Sequence, residues 1–215
     1  MILKELKIIT AMGEPTNCYI VMDEKSKEAI VIDPAGETEK ITEMLDVLKA
    51  NLKYIYMTHC HGDHIGGAKQ LQAEKNGKTL IHRLDAPGLN NPSINLTEYI
   101  GIDPIYINID SILDNDDLLH IGDLEFKVIH TPGHTCGGSS LYCEKEKMVF
   151  TGDTLFRGTW GRTDLPTANF ADIIDSITNK LMQLPEETII YPGHGKLSMI
   201  KEERPIYFEL KSTLS

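Results

Sequence analysis

The sequence has few cysteines, few aromatic residues and no long hydrophobic run. Four irregularly spaced cysteines in 215 residues, with no C-x-x-C pair, exclude a disulfide framework and a thiolate zinc knuckle. No window approaches the roughly 18 consecutive apolar residues that a membrane span needs. The first residues interleave charged and apolar side chains, unlike a signal peptide, so we expect a cytoplasmic protein that does not engage a membrane.

Basic residues are also scarce. Lys and Arg together number 21 against 32 Asp and Glu, a formal charge of -11, which argues against nucleic-acid binding because the chain repels phosphate. Hydrophobic residues make up 41% and charged residues 25%, a composition typical of globular proteins. The length fits one core, so we predict a single domain over 1–215.

Short apolar runs alternate with helical patterns along the chain. The predicted strands cover 2–10, 18–22, 29–32, 52–57, 124–129, 140–143, 148–151 and 188–191. The predicted helices cover 37–50, 66–75 and 170–181, with one more around 199–210. Residues 84–99 are rich in Pro, Gly and Asn and are predicted as a long loop that borders a site. This alternation indicates an α/β protein built from two βαβ-like halves.

The histidines are concentrated after the strand predicted at 52–57, in the segment T-H-C-H-G-D-H. His59 and His61 are two residues apart, so in extended backbone their side chains point the same way and can bind one cation. Asp63 and His64 follow where the backbone turns toward a helix, and they can contribute ligands to a second cation position nearby. Imidazole and carboxylate without thiolate favour Zn(II), Fe(II) or Mn(II), and neutral ligands let metal-bound water ionise near neutral pH.

Three later positions repeat this placement. His134, Asp153 and His194 each follow a glycine, and each comes directly after a predicted strand. A lone Gly-His is more often an ordinary turn. Four strand ends that carry such residues together predict a metal site at the edge of a sheet.

The motifs T-H-x-H-x-D-H, H-T-P-G-H-T, G-D-T-L-F and P-G-H-G resemble the metallo-β-lactamase superfamily. Within it they are most similar to the hydroxyacylglutathione hydrolase (glyoxalase II)-like branch. The match runs in order from about Cys18 to Gly195, which is most of the chain. The resemblance implies an α/β fold that is a four-layered αββα sandwich, with a binuclear metal site at one edge of the sheets.

The resemblance also implies a ligand for each position of two divalent metal ions. Zinc is expected first, with iron or manganese as alternatives. Site one would comprise His59, His61 and His134; site two would comprise Asp63, His64 and His194; Asp153 would bridge the two ions. Asp63 is in addition a candidate proton acceptor.

Four further residues are candidates outside the ligand set. Arg162 matches a basic residue that contacts the carboxylate end of the thiol in glyoxalase II-like enzymes, or else it pairs with Asp164 to brace its loop. Asp33 is a candidate hydrogen-bond acceptor for a ligand imidazole. Cys60 and Cys136 stand where the family commonly has Thr and Pro; we interpret them as packing residues, with a redox or auxiliary-ligand role as the alternative.

The resemblance implies a hydrolase of small thioesters, of the S-2-hydroxyacylglutathione type, that uses a metal-bound hydroxide. Only 21 residues follow His194, so the helical domain that binds glutathione in full-length glyoxalase II is not expected. The identity of the thiol, the acyl group and the oligomeric state stay open. The alternatives are a persulfide dioxygenase with one iron, a lactonase of the same fold, and a non-catalytic metal-binding protein.

Overall fold

The computed structural model describes residues 1–10, 13–100 and 103–214, and within them twelve strands form two six-stranded sheets. The first sheet contains, in spatial order, β1 (Ile2–Ile9), β2 (Pro15–Met22), β3 (Glu28–Ile32), β4 (Asn51–Met57), β5 (Lys78–His82) and β6 (Ser111–Leu113). The second contains β7 (Leu118–Ile121), β8 (Leu124–His130), β9 (Ser139–Cys143), β10 (Met148–Gly152), β11 (Ile189–Pro192) and β12 (Ser198–Met199). Each sheet is therefore built from one continuous half of the chain.

The first sheet changes from antiparallel to parallel pairing at its centre. β1, β2 and β3 pair antiparallel, whereas β3 to β6 run parallel. The parallel connections are helical, through α1 (Thr38–Leu48) between β3 and β4, and through α2 (Gly62–Ile65) and α3 (Ala68–Lys75) between β4 and β5. The carboxyl ends of these strands consequently meet at one edge, where the loop after β4 leaves the sheet.

The second sheet is antiparallel except for one pair. β10 and β11 run parallel, and the crossover between them contains α5 (Phe170–Asp175), which continues as a π turn (Ser176–Lys180) and a 3₁₀ turn (Leu181–Gln183). Asn169 begins this helical segment, as predicted, by accepting a hydrogen bond from the Asp172 amide with its side chain. The last helix, α6 (Ile200–Leu214), follows β12.

Three apolar clusters fill the spaces between layers. Val21, Tyr56, Phe126, Leu141 and Phe150 belong to the cluster between the two sheets. A second cluster joins the first sheet to α1 and α3, and a third joins the second sheet to α5 and α6. The order of layers is helix, sheet, sheet, helix, which confirms the predicted αββα sandwich.

The main differences from the predicted elements lie in short segments. β6, β7 and β12 were not predicted, because runs of two to four residues carry too little periodicity. The helix predicted at 66–75 is α3, which begins at Ala68, and a separate short helix, α2, contains Asp63 and His64 where a turn was predicted. The predicted loop 84–99 holds a 3₁₀ turn (Ala86–Asn90) and the start of α4 (Thr97–Ile100). Among the described residues, no helix is long and apolar enough to cross a membrane.

Candidate metal centre

Seven histidine and aspartate side chains meet at the edge where β4, β8, β10 and β11 end. The loop after β4, together with α2, supplies four of them, and the loops after β8, β10 and β11 supply one each. The seven are the predicted residues His59, His61, Asp63, His64, His134, Asp153 and His194. The first sheet thus provides four candidate ligands and the second provides three.

Two compact groups of ligand atoms can be distinguished, and a third group, His59, His64 and Asp153, overlaps both of the predicted ligand sets. His59, His61 and His134 bring one ligand atom each to within 4.8 Å of one another, as do Asp63, His64 and His194. In the first group His61 Nδ1 lies 2.9 Å from His134 Nε2, and in the second His64 Nε2 lies 3.2 Å from His194 Nε2. These two groups have the same members as the two predicted ligand sets.

Asp153 lies between the two groups. Its Oδ2 atom is 3.5 Å from His134 Nε2, which belongs to the first group, and 3.6 Å from His194 Nε2, which belongs to the second. Its Oδ1 atom is 3.3 Å from His64 Nε2. One carboxylate therefore reaches both groups, which is the geometry that a bridging ligand requires.

Hydrogen bonds at the outer ring nitrogens fix the orientation of four imidazoles. His59 Nδ1 lies 3.0 Å from the Thr58 hydroxyl oxygen, and His64 Nδ1 lies 2.9 Å from Asp33 Oδ2. His134 Nδ1 lies 2.9 Å from the carbonyl oxygen of Arg162, and His194 Nδ1 lies 3.0 Å from that of Pro15. Each contact leaves Nε2 facing the other ligands, as outer contacts do in metal sites.

The donor atoms fit a bound cation. His59 Nε2 and Asp153 Oδ1 are buried and have no hydrogen-bond partner among the described residues. Buried polar atoms normally have one, so these two atoms are suited to face a cation. Nitrogen and carboxylate donors without thiolate suit zinc, iron or manganese.

The protonation states of His59, His61 and Asp153 also favour a cation. Burial lowers the pKa of His61 to about 3 and holds the pKa of His59 well below its ordinary value, so both rings are neutral at pH 7. Burial alone would raise the pKa of Asp153, but His64 and His194 hold it well below its ordinary value. Neutral imidazole and ionised carboxylate are the forms that bind metals.

Close packing around Asp153 explains the glycine that precedes His194. A Cβ atom on Gly193 would lie 2.3 Å from Asp153 Oδ1 and 2.7 Å from His64 Cε1. Real side chains do not approach this closely, so any larger residue at position 193 would displace the side chains of Asp153 and His64.

Sequence reasoning missed one buried carboxylate beside the site. Asp85, which is 2% exposed, accepts hydrogen bonds from the Cys60 amide at 3.0 Å, the Thr135 hydroxyl at 2.7 Å and the Gly137 amide at 2.6 Å. It therefore ties the loop of His59 and His61 to the loop of His134. The available signal was its position shortly after β5, the parallel neighbour of β4, but no histidine or glycine motif marks it.

The two cysteines beside the ligands differ in exposure. The Cys60 sulfur is buried against Gly88, where a Cβ atom would lie only 2.5 Å away. Cys136 is partly exposed, and its sulfur lies 3.4 Å from the carbonyl oxygen of Leu84. All four cysteines are unpaired, and these surroundings agree with packing roles.

A cleft of about 590 Å³ opens above the candidate ligands. Its apolar walls include Leu96, Phe156, Trp160 and Leu165, and charged side chains stand around it. Arg162 lines the cleft, but its Nε and Nη2 atoms each donate to Asp164 at 2.9 Å. Arg162 therefore forms the predicted pair with Asp164, with most of its hydrogen-bonding fork engaged, while its contact with a substrate carboxylate stays a prediction.

The sequence matches the family described as the metallo-beta-lactamase superfamily over residues 11–194. It is 32% identical to hydroxyacylglutathione hydrolase GloC of Haemophilus influenzae over 214 residues, covering 93% of this chain and 94% of that protein. The fold is similar to the crystal structure of BLEG-1 B3 metallo-beta-lactamase, with a TM-score of 0.86, 34% identity, and coverage of 94% and 96%. It is also similar to TTHA1623 in a di-iron-bound form, with a TM-score of 0.80, 29% identity, and coverage of 94% and 96%. The chain belongs to the metallo-beta-lactamase superfamily.

Proposed function

We propose that the protein is a metal-dependent hydrolase of small thioesters, of the S-2-hydroxyacylglutathione type, with two divalent ions at the candidate centre. The observation that carries this proposal is the pair of ligand groups that share Asp153 on the floor of an open cleft. The similarity to GloC supports the substrate class, and the di-iron form of TTHA1623 supports two ions.

Bound divalent cations would supply Lewis-acid activation of water and of the thioester carbonyl. Asp63 faces the cleft and serves as a proton acceptor for the attacking water. Burial would raise the pKa of Asp63, but His64 beside it lowers the pKa below its ordinary value, so the carboxylate is ionised. A thiolate leaves without protonation, so no dedicated general acid is needed on the leaving-group side.

The second ligand group is relevant to the main alternative function, that of a persulfide dioxygenase. A persulfide dioxygenase that uses one iron needs two histidines and one carboxylate, whereas Asp63, His64 and His194 gather a second set of donors. Because persulfide dioxygenases also keep residues matching Asp63 and His64, the number of bound ions is what separates the two activities. Hydrolysis of β-lactams is a second candidate, because the similar BLEG-1 is described as a B3 metallo-beta-lactamase.

The deciding experiment combines metal analysis with activity. Protein purified without added metal is analysed for zinc, iron and manganese, then assayed on S-lactoylglutathione, a simple lactone, nitrocefin and glutathione persulfide with oxygen uptake. We expect two ions per chain and thioester hydrolysis faster than lactone or lactam hydrolysis, and we expect an exposed-histidine variant, His120→Gln, to match the wild type. One iron per chain with persulfide-dependent oxygen uptake, or preferred turnover of another substrate, contradicts the proposal.

A further inference from the structure

The mouth of the cleft carries positive charge although the chain as a whole is acidic. Arg157, Arg162 and Lys196 line it in a protein of formal charge -11. Arg162 is engaged by Asp164 at 2.9 Å. Among the described residues, neither Arg157 nor Lys196 has a carboxylate within ion-pair distance, and the acidic residues of the cleft lining are Glu14 and the candidate ligands Asp63 and Asp153. The charges of Arg157 and Lys196 are therefore not engaged by an ion pair.

Arg157 is presented by a fixed turn. The Phe156 amide donates to the Thr159 carbonyl oxygen at 2.8 Å, and Gly158 takes a φ of +74°, which closes a tight turn with Arg157 at its tip. The Gly158 amide then donates to Glu203 Oε2 at 2.9 Å. Because Glu203 is buried on α6, the backbone that carries Arg157 is held against the body of the protein.

Lys196 follows an equally fixed backbone. The carbonyl oxygen of Gly195 accepts hydrogen bonds from Asn17 Nδ2 at 3.2 Å and from Lys7 Nζ at 3.1 Å. Asn17 is itself fully buried on β2. The chain that links His194 to Lys196 is thus tied to the first sheet, so Lys196 stays at the cleft beside a candidate ligand.

We propose that Arg157 and Lys196 form a carboxylate-binding pair that recognises the thiol portion of the substrate. The inference rests on the proposed function and narrows the substrate class to thioesters of thiols that carry carboxylate groups. It also assigns this recognition to residues other than Arg162, whose guanidinium fork is occupied by Asp164. Unpaired cations beside a cleft with low-dielectric walls attract an anionic ligand, while the remainder of the acidic surface repels it.

Binding measurements test the pair without requiring turnover. S-hexylglutathione and its diethyl ester, in which both carboxylates are masked, are titrated calorimetrically into zinc-loaded protein at low ionic strength. We expect masking to weaken binding to the wild type by about three- to tenfold, the range of two partly exposed ion pairs. In the double variant Arg157→Gln/Lys196→Gln, the acid and the ester should bind equally.

Two controls make the result specific. Lys25→Gln/Lys201→Gln removes the same charge from exposed positions outside the cleft and should keep the wild-type discrimination. Arg162→Gln should keep most of the wild-type difference in affinity between the acid and its diethyl ester. The inference is overturned if the wild type binds neither ligand, if it binds both equally, or if the discrimination survives in the double variant and disappears in Arg162→Gln.

The same experiments separate this inference from the proposed function. Carboxylate-dependent binding without thioester hydrolysis would contradict the hydrolase proposal and leave the binding pair standing. Hydrolysis of acid and esterified thioesters with equal kcat/KM would contradict the binding pair and leave the hydrolase standing.

Discussion

At the scale of single residues, the Asp153 carboxylate lies close to histidines of both ligand groups. It lies 3.5 Å from a histidine of one ligand group and 3.6 Å from a histidine of the other. Removing it takes a negative charge from between the five imidazoles and the one other carboxylate of the ligand set. Both groups should therefore lose affinity for a cation together.

We expect Asp153→Ala to lose metal from both positions, and His82→Ala to retain it. His82 lies outside the ligand set and stacks on His130, with ring centroids 4.1 Å apart. Elemental analysis of both variants, purified side by side, checks this expectation. Equal metal content in the two variants would remove the bridging role from Asp153.

His82 also makes folding depend on pH. Burial, and then the neighbouring His130, lower the pKa of His82 to about 4, below its value near 6.5 in an unfolded chain. The unfolded state therefore binds a proton more readily, and stability is lost as the pH falls from about 6.5 to 4. This effect of His82 should change the free energy of unfolding by about 1 kcal/mol. That is less than the full pKa shift implies, because solvent reaches the partly exposed His130 beside the ring.

Urea unfolding of metal-free wild type and His82→Gln at pH 7 and pH 5 tests this dependence. The wild type should lose more unfolding free energy between the two pH values than the variant does. The exposed-site variant His120→Gln should behave as the wild type. Parallel losses in all three proteins would contradict the assignment to His82.

At the scale of elements, the loops that carry the ligands are tied to one another. Asp85 joins the loop after β4 to the loop after β8 through three hydrogen bonds, to Cys60, Thr135 and Gly137. Its burial raises its pKa, and the three donors offset part of that effect. The distance between His61 and His134 depends on this connection.

We expect Asp85→Asn to weaken metal binding at the first group by about tenfold, as loss of an outer contact does in other metal sites. The amide can accept with one oxygen only, so its NH₂ group faces either the Gly137 amide or the two donors on the other side. Titration with a chelating indicator measures the affinity. Asp123→Asn, at an exposed position, is the matched control, and an unchanged affinity in Asp85→Asn would contradict the positioning role.

The contrast between Asp85 and the seven ligands shows what the sequence can and cannot predict at this scale. His59, His134 and His194 were predicted because each follows a recognisable strand, and a chain leaves a parallel or mixed sheet at a shared edge. Asp85 follows β5, and in the Asp-rich sequence farther along the chain the short strands β6 and β7 are not recognisable. Whether a carboxylate there points inward depends on packing between loops, which the local pattern does not contain.

At the scale of the whole molecule, the candidate centre connects the two halves of the chain. Four candidate ligands come from the half that forms the first sheet and three from the half that forms the second. Each ligand group contains residues from both halves, because His134 completes the first group and His194 completes the second. A bound ion therefore stabilises the contact between the two sheets in addition to its own loops.

We expect chelation to lower the unfolding free energy by about 2.7 kcal/mol for an ion present at a hundred times its Kd. Thermal unfolding with and without EDTA measures the effect, and both sheets should unfold in one transition. Asp153→Ala should show little response to the chelator. If EDTA does not change the thermal unfolding of the wild type, the proposed stabilisation of the fold by bound ions is contradicted.

The layered architecture was predictable from the motifs because the resemblance covers most of the chain. The composition of the cleft mouth was not predictable. Arg162 and its pairing with Asp164 are the exception, since both were anticipated from the motif. Arg157 and Lys196 carry no motif, and both line the cleft because the loops after β10 and β11 leave the sheet at the same edge.

The turn between β6 and β7 has a practical consequence. Residues 114–117 form a largely exposed connection, and they are the point where the chain passes from one sheet to the other. A polypeptide split there would yield two fragments, neither of which holds a complete set of donors for any ion. We expect such fragments to reassemble more tightly when a divalent cation is present, which would turn this fold into a complementation sensor for the metal.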